Sequence, residues 1–351
     1  MRGDGARDED RVVIRPSPLN AETPESALPD EITPAGRHFV RTHFGIPLLD
    51  RGRHRIAVDG AVRERLELEL GELSRLPGRS VALTLECAGN DRLSFTPLPT
   101  GELWGGGAVG TAVWGGVPLR EVLSRAGLAP GAREVVVEGA DAGPAEEGEG
   151  TIHFARALPV KKALDPDTLL ALEMNGAPIP REHGAPARLI VPGWYGMASV
   201  KWVTRITVLT EPFRGYFQRD RYVYDYGAGG TPEPVAEIRV KAAITAPRDG
   251  DQVPVGPVLV CGWAWSGAAP VSAVEVAADG GDTWDEARML PASSRYRWQR
   301  WEYAWEVRSP GRHTLRVRAR DDAGRTQPDA PRWNRLGYGA NGVRTIVVTA
   351  R

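Results

Sequence analysis

Cysteine is almost missing from this chain: 351 residues carry only Cys87 and Cys261, far apart in sequence. A disulfide framework is therefore excluded as the organising device. No CxxC or CxxCH spacing exists, which removes a zinc ribbon, a thioredoxin motif and covalent haem attachment. No apolar run approaches the roughly 18 residues that a membrane-spanning helix needs. An excess of one charge is missing too. Formal net charge is -1, which argues against nucleic-acid binding through bulk positive charge. The opening "MRGDGARDEDR" lacks the apolar centre of a secretory signal, so a cytoplasmic protein is expected, with the periplasm open if the start is processed. There is no Gly-x-Ser-x-Gly elbow, no P-loop and no His–carboxylate cluster at metal-ligand spacing. Hydrolase, nucleotide and zinc or iron chemistry thus find no support.

What is present is an ordinary soluble composition, 42% hydrophobic and 25% charged, with length enough for two domains. Residues 1–36 are rich in charge, Pro and Ala and read as an extended surface arm with little regular structure. Residues 37–243 mix strand and helix signals without a βαβ rhythm, which predicts an α+β domain. "SVALTLE" (80–86) reads as a strand feeding the loop at Cys87, and "GVPLREVLSRAGL" (116–128) as a helix closed by Gly127. "REVVVEGAD", "ARLIVPG" and "VKWVTRITVL" read as strands, "AGPAEEGEG" (142–150) as an acidic turn-rich loop, and "DPDTLLALEMNG" as either helix or strand. From 244 to 351 short alternating strands separated by turns predict an immunoglobulin-like β-sandwich.

A lone cysteine is most often a small buried hydrophobe. Cys87 has an unusual setting, at a strand end in a loop with Gly89, Asn90 and the cation Arg92, which favours a thiolate suited to a soft or high-valent metal. In "FVRTHFGIP", Phe39, Arg41 and His43 share one face of an extended strand. "HGAPARLIVPG" supplies His183 and Arg188, and the Gly-containing turn after it supplies Ser199 and Lys201. Such turns form anion-binding concavities, Arg adds a bidentate fork and Lys a point charge. Each cluster alone is weak, since basic residues near strand ends are common. Together Arg41, His43, Arg92, His183, Arg188 and Lys201 point to a multiply charged anion in a chain near neutrality. Each charge pair at 4 Å is worth about 4 kcal/mol at an intermediate dielectric.

"FVRTH", "LECAGNDR", "EMNGAPIPREHGAPARLIVPGWYGMASVKW" and "WNRLGYGANG", in that order, resemble the sulfite oxidase family of molybdopterin enzymes, from about residue 34 to the C-terminus. The resemblance implies that Cys87 ligates molybdenum, which is also held by the dithiolene of one pyranopterin. It implies pterin contacts at Phe39, Val40, Arg41, Thr42 and His43 and at Asp141. His183, Arg188, Ser199, Val200 and Lys201 match the remaining cofactor contacts, around its phosphate. Arg41 and Arg92 match arginines of the substrate oxyanion pocket, and Tyr222 stands where the family has its active-site tyrosine. Core packing is the blander use for that tyrosine, beside Tyr224 and Tyr226.

The activity implied is oxidation of sulfite to sulfate by oxygen-atom transfer, with two electrons leaving one at a time. This chain has no haem motif, so a separate acceptor is expected, for which a c-type cytochrome would serve. The C-terminal sandwich implies a homodimer. Trp263, Trp265, Trp298, Trp301 and Trp305 are candidates for its interface, with a sandwich core as the blander use for most of them. One departure stands out: Leu336 occupies a position where sulfite-oxidising members often have Arg, and Arg335 beside it points elsewhere in an extended segment. That favours a second expectation, a nitrate-reductase-like or other oxyanion-handling molybdoenzyme. A non-catalytic β-sandwich interaction protein and a Cys–His hydrolase on Cys87 and His183 complete the alternatives.

Overall fold

Alternation along one strand fixes where the thiol of Cys87 goes. In the strand Arg79–Glu86, Val81, Leu83 and Leu85 are buried on one face, in a core shared with Trp104 and Trp114, and Cys87 continues that face. Thr84 and Glu86 are buried on the opposite face, where Thr84 Oγ1 meets Thr111 Oγ1 at 2.5 Å. The computed structural model describes residues 11–144, 150–227, 229–278, 283–292 and 294–351.

This strand is the edge of an antiparallel sheet ordered Ala177–Pro178, Leu169–Met174, Val109–Pro118, Arg79–Glu86, with Arg188–Ile190 pairing Leu169–Met174. A second five-stranded sheet runs Leu66–Glu69, Arg55–Gly60, Val203–Leu209, Glu134–Pro144, Thr151–Pro159. Only its pairing of Arg55–Gly60 with Val203–Leu209 is parallel. Between the sheets lies an apolar core that includes Ile56, Leu123, Val137, Leu170, Leu189 and Ile206. The helix Leu119–Ala126 buries Leu119, Val122, Leu123 and Ala126 on one stripe against this core and ends at Gly127, whose φ of 65° a side chain would resist. The 165–176 segment resolves as the strand Leu169–Met174, because both of its faces are covered.

Two expectations need correction. Residues 12–22 are not a loose arm: Val12–Arg15 and Asn20–Glu22 form a sheet with Val40–Arg41, and Asn20, Ala21 and Glu22 are buried. Of the stretch expected as an acidic loop, 142–144 belong to the strand Glu134–Pro144, and 145–149 lie outside the described residues, as do 1–10.

In the C-terminal part a sheet of Lys241–Ala246, Gly256–Trp265, Gln299–Val307 and Arg288–Met289 faces another of Gln252–Val253, Arg344–Ala350, Gly311–Asp321, Val271–Ala277 and Asp285–Glu286. Both supply one apolar core, in which Trp301 and Trp305 are buried. Trp263, Trp265 and Trp298 instead join the core of the preceding part. Their indole N–H groups donate to Leu28 O at 2.7 Å, Glu86 Oε2 at 2.8 Å and Glu31 O at 3.1 Å. All five tryptophans are therefore packed within one chain, three of them with their indole N–H groups satisfied, while Trp301 Nε1 is buried without a hydrogen-bond partner. Among the described residues no helix is long and apolar enough to cross a membrane.

Candidate functional site

Cys87 sits between two cavities. The first is a cleft lined by Phe39, Val40, Arg41 and His43 on one side, by Asp141, and by His183, Arg188, Ser199 and Lys201 on the other. The second, of about 580 Å³, is lined by Arg15, Arg41, Arg92, Tyr222, Leu336 and Tyr338 among others. Arg41, His43, Cys87 and Tyr222 line both.

The first cleft collects Arg41, Arg188 and Lys201, which make no salt bridge among the described residues, although Asp141 and Glu182 act electrostatically on Lys201. Buried Arg188 donates to Ser199 O at 3.2 Å and His183 O at 3.1 Å and lies 4.9 Å from the centre of the Trp114 ring. Burial pulls its guanidinium down to about 9. Lys201 donates to Glu182 O at 3.0 Å, and burial, reinforced by Arg188, lowers it well below its ordinary value. Gly184, at φ 111°, lets this turn close: a Cβ there would stand 2.9 Å from Lys201 Cβ. Opposite, burial pushes the Asp141 carboxyl up to about 6, with Lys201 pulling the other way, and its Oδ1 has no hydrogen-bond partner. His183 Nε2 contacts Ala35 O at 2.9 Å, and burial followed by its cationic neighbours keeps the ring neutral.

Arg41 is held by Asn20 Oδ1 at 3.1 Å and by the Thr42 carbonyl. Its Nη2 reaches His43 Nδ1 at 3.1 Å, and His43 Nε2 reaches the Tyr222 hydroxyl at 2.6 Å. A guanidinium can only donate, so Nδ1 accepts and Nε2 carries the ring proton. His43 is neutral, because burial and then Arg41 lower its pKa well below the ordinary value. The Tyr222 oxygen therefore accepts from His43, which leaves the phenolic proton free to be donated into the cavity. Burial also raises the Tyr222 phenol, so it stays protonated.

In the second cavity Arg92 donates to Glu102 O at 2.6 Å and Leu336 O at 3.0 Å and lies 5.3 Å from the centre of the Tyr338 ring, which stacks on Tyr222 at 5.1 Å. Arg15 enters from the N-terminal strand and pairs with the Glu102 carboxylate. Proximity of cations does not by itself make Cys87 a thiolate: burial raises its pKa, and Arg41, the Gly89 N–H and Arg92 offset this only in part. A bound metal would be needed to hold the deprotonated form.

The expected site residues are thus largely brought together. Two are not. Thr42 turns its hydroxyl to Leu19 O at 2.7 Å, and Val200 is packed in the core between the sheets, so neither presents a side chain to the cleft. Asn20, Glu102 and Tyr338 were missed. Only Tyr338 had a signal, inside "WNRLGYG"; the other two matter through partners more than 20 residues away.

Among the described residues no group of three or more His, Cys, Asp and Glu stands ready for a metal. A single sulfur beside a cation-rich cleft with an unpartnered buried carboxylate fits a metal that arrives with its own ligands on a polyanionic cofactor. Two family models match accordingly: an oxidoreductase molybdopterin-binding domain over residues 43–217 and a Mo-co oxidoreductase dimerisation domain over 233–350. The class is a molybdopterin oxidoreductase.

Sulfite oxidase of Gallus gallus is 37% identical over 95% of this chain and 77% of its own length. The mitochondrial sulfite oxidase of Homo sapiens is 37% identical over 92% of this chain, which spans 63% of that relative. The sulfane dehydrogenase SoxCD of Paracoccus pantotrophus superposes with a TM-score of 0.82 at 29% identity, covering 94% of this chain and 84% of that one. The chain belongs to the sulfite oxidase family and is a molybdoenzyme of that type.

Proposed function

We propose that this chain oxidises sulfite, or a small sulfur compound of like charge, at a molybdenum–pterin centre ligated by Cys87, and passes the electrons to a separate acceptor such as a c-type cytochrome. The observation that carries the reading is the position of Cys87 between a cleft suited to a polyanionic cofactor and a second, arginine-lined cavity. Phe39, Val40, Arg41, His43, Asp141, His183, Arg188, Ser199 and Lys201 would hold the pterin and its phosphate. Thr42 and Val200 would contribute through backbone only. When bound, the centre supplies oxygen-atom transfer and a store for two electrons.

The protein's part is electrostatic and positional. Arg41 and Arg92 lower the cost of bringing a dianion to the sulfur-ligated position. Tyr222 donates its free proton to an oxygen in the cavity, oriented by the Arg41–His43 chain. Tyr338 packs its ring against Arg92 and Leu336 offers it a backbone carbonyl, which together hold the guanidinium in place.

One observation favours a second reading. Leu336 leaves the pocket one guanidinium short of the pattern frequent among sulfite-oxidising members, and a nitrate reductase of Oryza sativa, of which this chain spans 38%, is 34% identical over 91% of this chain. Steady-state assays separate the two. Sulfite with an artificial acceptor is expected to turn over, and nitrate with a reduced dye is not. The reverse outcome overturns the sulfite reading.

We further propose the three parts expected at 1–36, 37–243 and 244–351, with the second boundary moved ahead of Lys241, whose strand Lys241–Ala246 belongs to the C-terminal sheet, and the last part an immunoglobulin-like sandwich through which two copies associate. Sedimentation at twice the monomer mass is the expected result.

A further inference from the structure

The segment that carries Cys87 is held by side chains from the other end of the molecule. Lys241 opens the first strand of the C-terminal part and is 2% exposed. Its Nζ lies 3.1 Å from Glu86 Oε1, 2.5 Å from Asp91 Oδ2 and 3.0 Å from Ala340 O. Glu86 and Asp91 bracket Cys87, one residue before it and four after. Glu86 also accepts from Trp265 Nε1 at 2.8 Å and from Asn90 Nδ2 at 2.9 Å. Asp91, at a left-handed φ of 61°, pairs as well with Arg344. The main chain between them is caught too, with Ala88 O accepting from Gly339 N at 2.8 Å.

Two carboxylates and two cations leave this cluster neutral overall. Burial disfavours the Asp91 carboxylate, but Lys241 and Arg344 outweigh it and hold the group below its ordinary range. Burial likewise disfavours the Lys241 ammonium, and Asp91 and Glu86 outweigh it in turn. Such a cluster is poor evidence for net stability, because well-packed apolar residues would serve as well or better. What it does provide is geometry. One ammonium donating to both ends of a six-residue loop fixes the loop's span, and apolar packing gives no comparable directional constraint.

We propose that Lys241 is a positioning residue for the metal-ligating loop: by tying Glu86 to Asp91 it sets where the Cys87 sulfur and the Arg92 guanidinium stand between the cofactor cleft and the substrate cavity. The C-terminal part thereby completes the catalytic site, beyond any role in self-association. The inference rests on the reading of Cys87 as the metal ligand.

The test compares Lys241→Gln with Leu315→Ala, which opens a cavity in the C-terminal core within the same half of the molecule. Three quantities are read: amide hydrogen exchange of residues 86–92 in the full chain prepared without molybdenum, the Mo(V) resonance of the reduced holoenzyme, and the split between KM and kcat. Lys241→Gln is expected to speed exchange of 86–92 about tenfold, shift the resonance and raise KM for sulfite about tenfold. Leu315→Ala, matched for loss of melting temperature, is expected to change none of them. Unchanged exchange and resonance in Lys241→Gln, or the same changes in Leu315→Ala, overturn the proposal.

If Lys241→Gln does not fold, Trp265→Phe and Arg344→Gln each remove one partner of the cluster. Each is expected to speed exchange of 86–92 about threefold, and wild-type exchange in both overturns the proposal. A Cys87→Ser enzyme with an unaltered metal spectrum would defeat the ligand reading while leaving the exchange result to stand.

Discussion

Arg92 is held by two backbone carbonyls and an aromatic face, so its charge is spent on no carboxylate and stays available to an anion. Arg92→Gln is therefore expected to raise KM for sulfite at least tenfold, roughly the loss of one charge-assisted contact, with molybdenum content unchanged. An unchanged KM would remove Arg92 from the substrate pocket. Asp141 behaves differently. Its folded pKa of about 6 lies above the unfolded value of about 4. The folded state then binds the proton more tightly, and stability falls as pH rises from about 4 to about 6, with the full penalty present above that window. In protein prepared without cofactor, Asp141→Asn is expected to flatten this fall and to raise the melting temperature at pH 7. A variant with the same pH profile as wild type would contradict the assignment.

At the scale of elements, the strands that carry the site were legible in the sequence and their partners were not. Alternation in "SVALTLE" places the Cys87 side chain on the Leu85 face without any knowledge of the rest. Gly127 announces the end of its helix in the same local way. By contrast, residues 12–22 look like a polar arm because their burial comes from pairing with Val40–Arg41 and from packing against distant chain. Asn20 shows the consequence. Its buried Oδ1 accepts from the Thr42 N–H at 3.0 Å and from Arg41 at 3.1 Å. Asn20→Ala leaves a backbone donor unmet and Arg41 loosened. It is expected to cost about 1–3 kcal/mol of stability, measured by denaturant unfolding, and to raise KM. A neutral result would mean the N-terminal sheet is incidental to the site. Thr42 is the opposite lesson: a residue inside a telling motif whose hydroxyl serves Leu19 instead of a ligand.

The whole molecule is built so that both ends of the chain converge on Cys87. Arg15 and Asn20 arrive from the N-terminal sheet, and Lys241, Leu336 and Arg344 from the C-terminal part, all around a loop whose own sequence pointed to its cysteine, Gly89, Asn90 and arginine but to none of these distant partners. That convergence could not be read locally, since sequence motifs report neighbours along the chain and these contacts span up to 253 residues. Its worth depends on the sulfur being a metal ligand. The most direct measurement is sulfite-dependent reduction of the molybdenum centre, followed through the thiolate-to-metal absorption band in the wild-type protein and in Cys87→Ser. The wild-type protein is expected to show the band and lose it on adding sulfite, while the folded Ser variant shows neither band nor turnover. A wild-type protein without molybdenum, or a Ser variant reduced by sulfite at the wild-type rate, would contradict the assignment of Cys87.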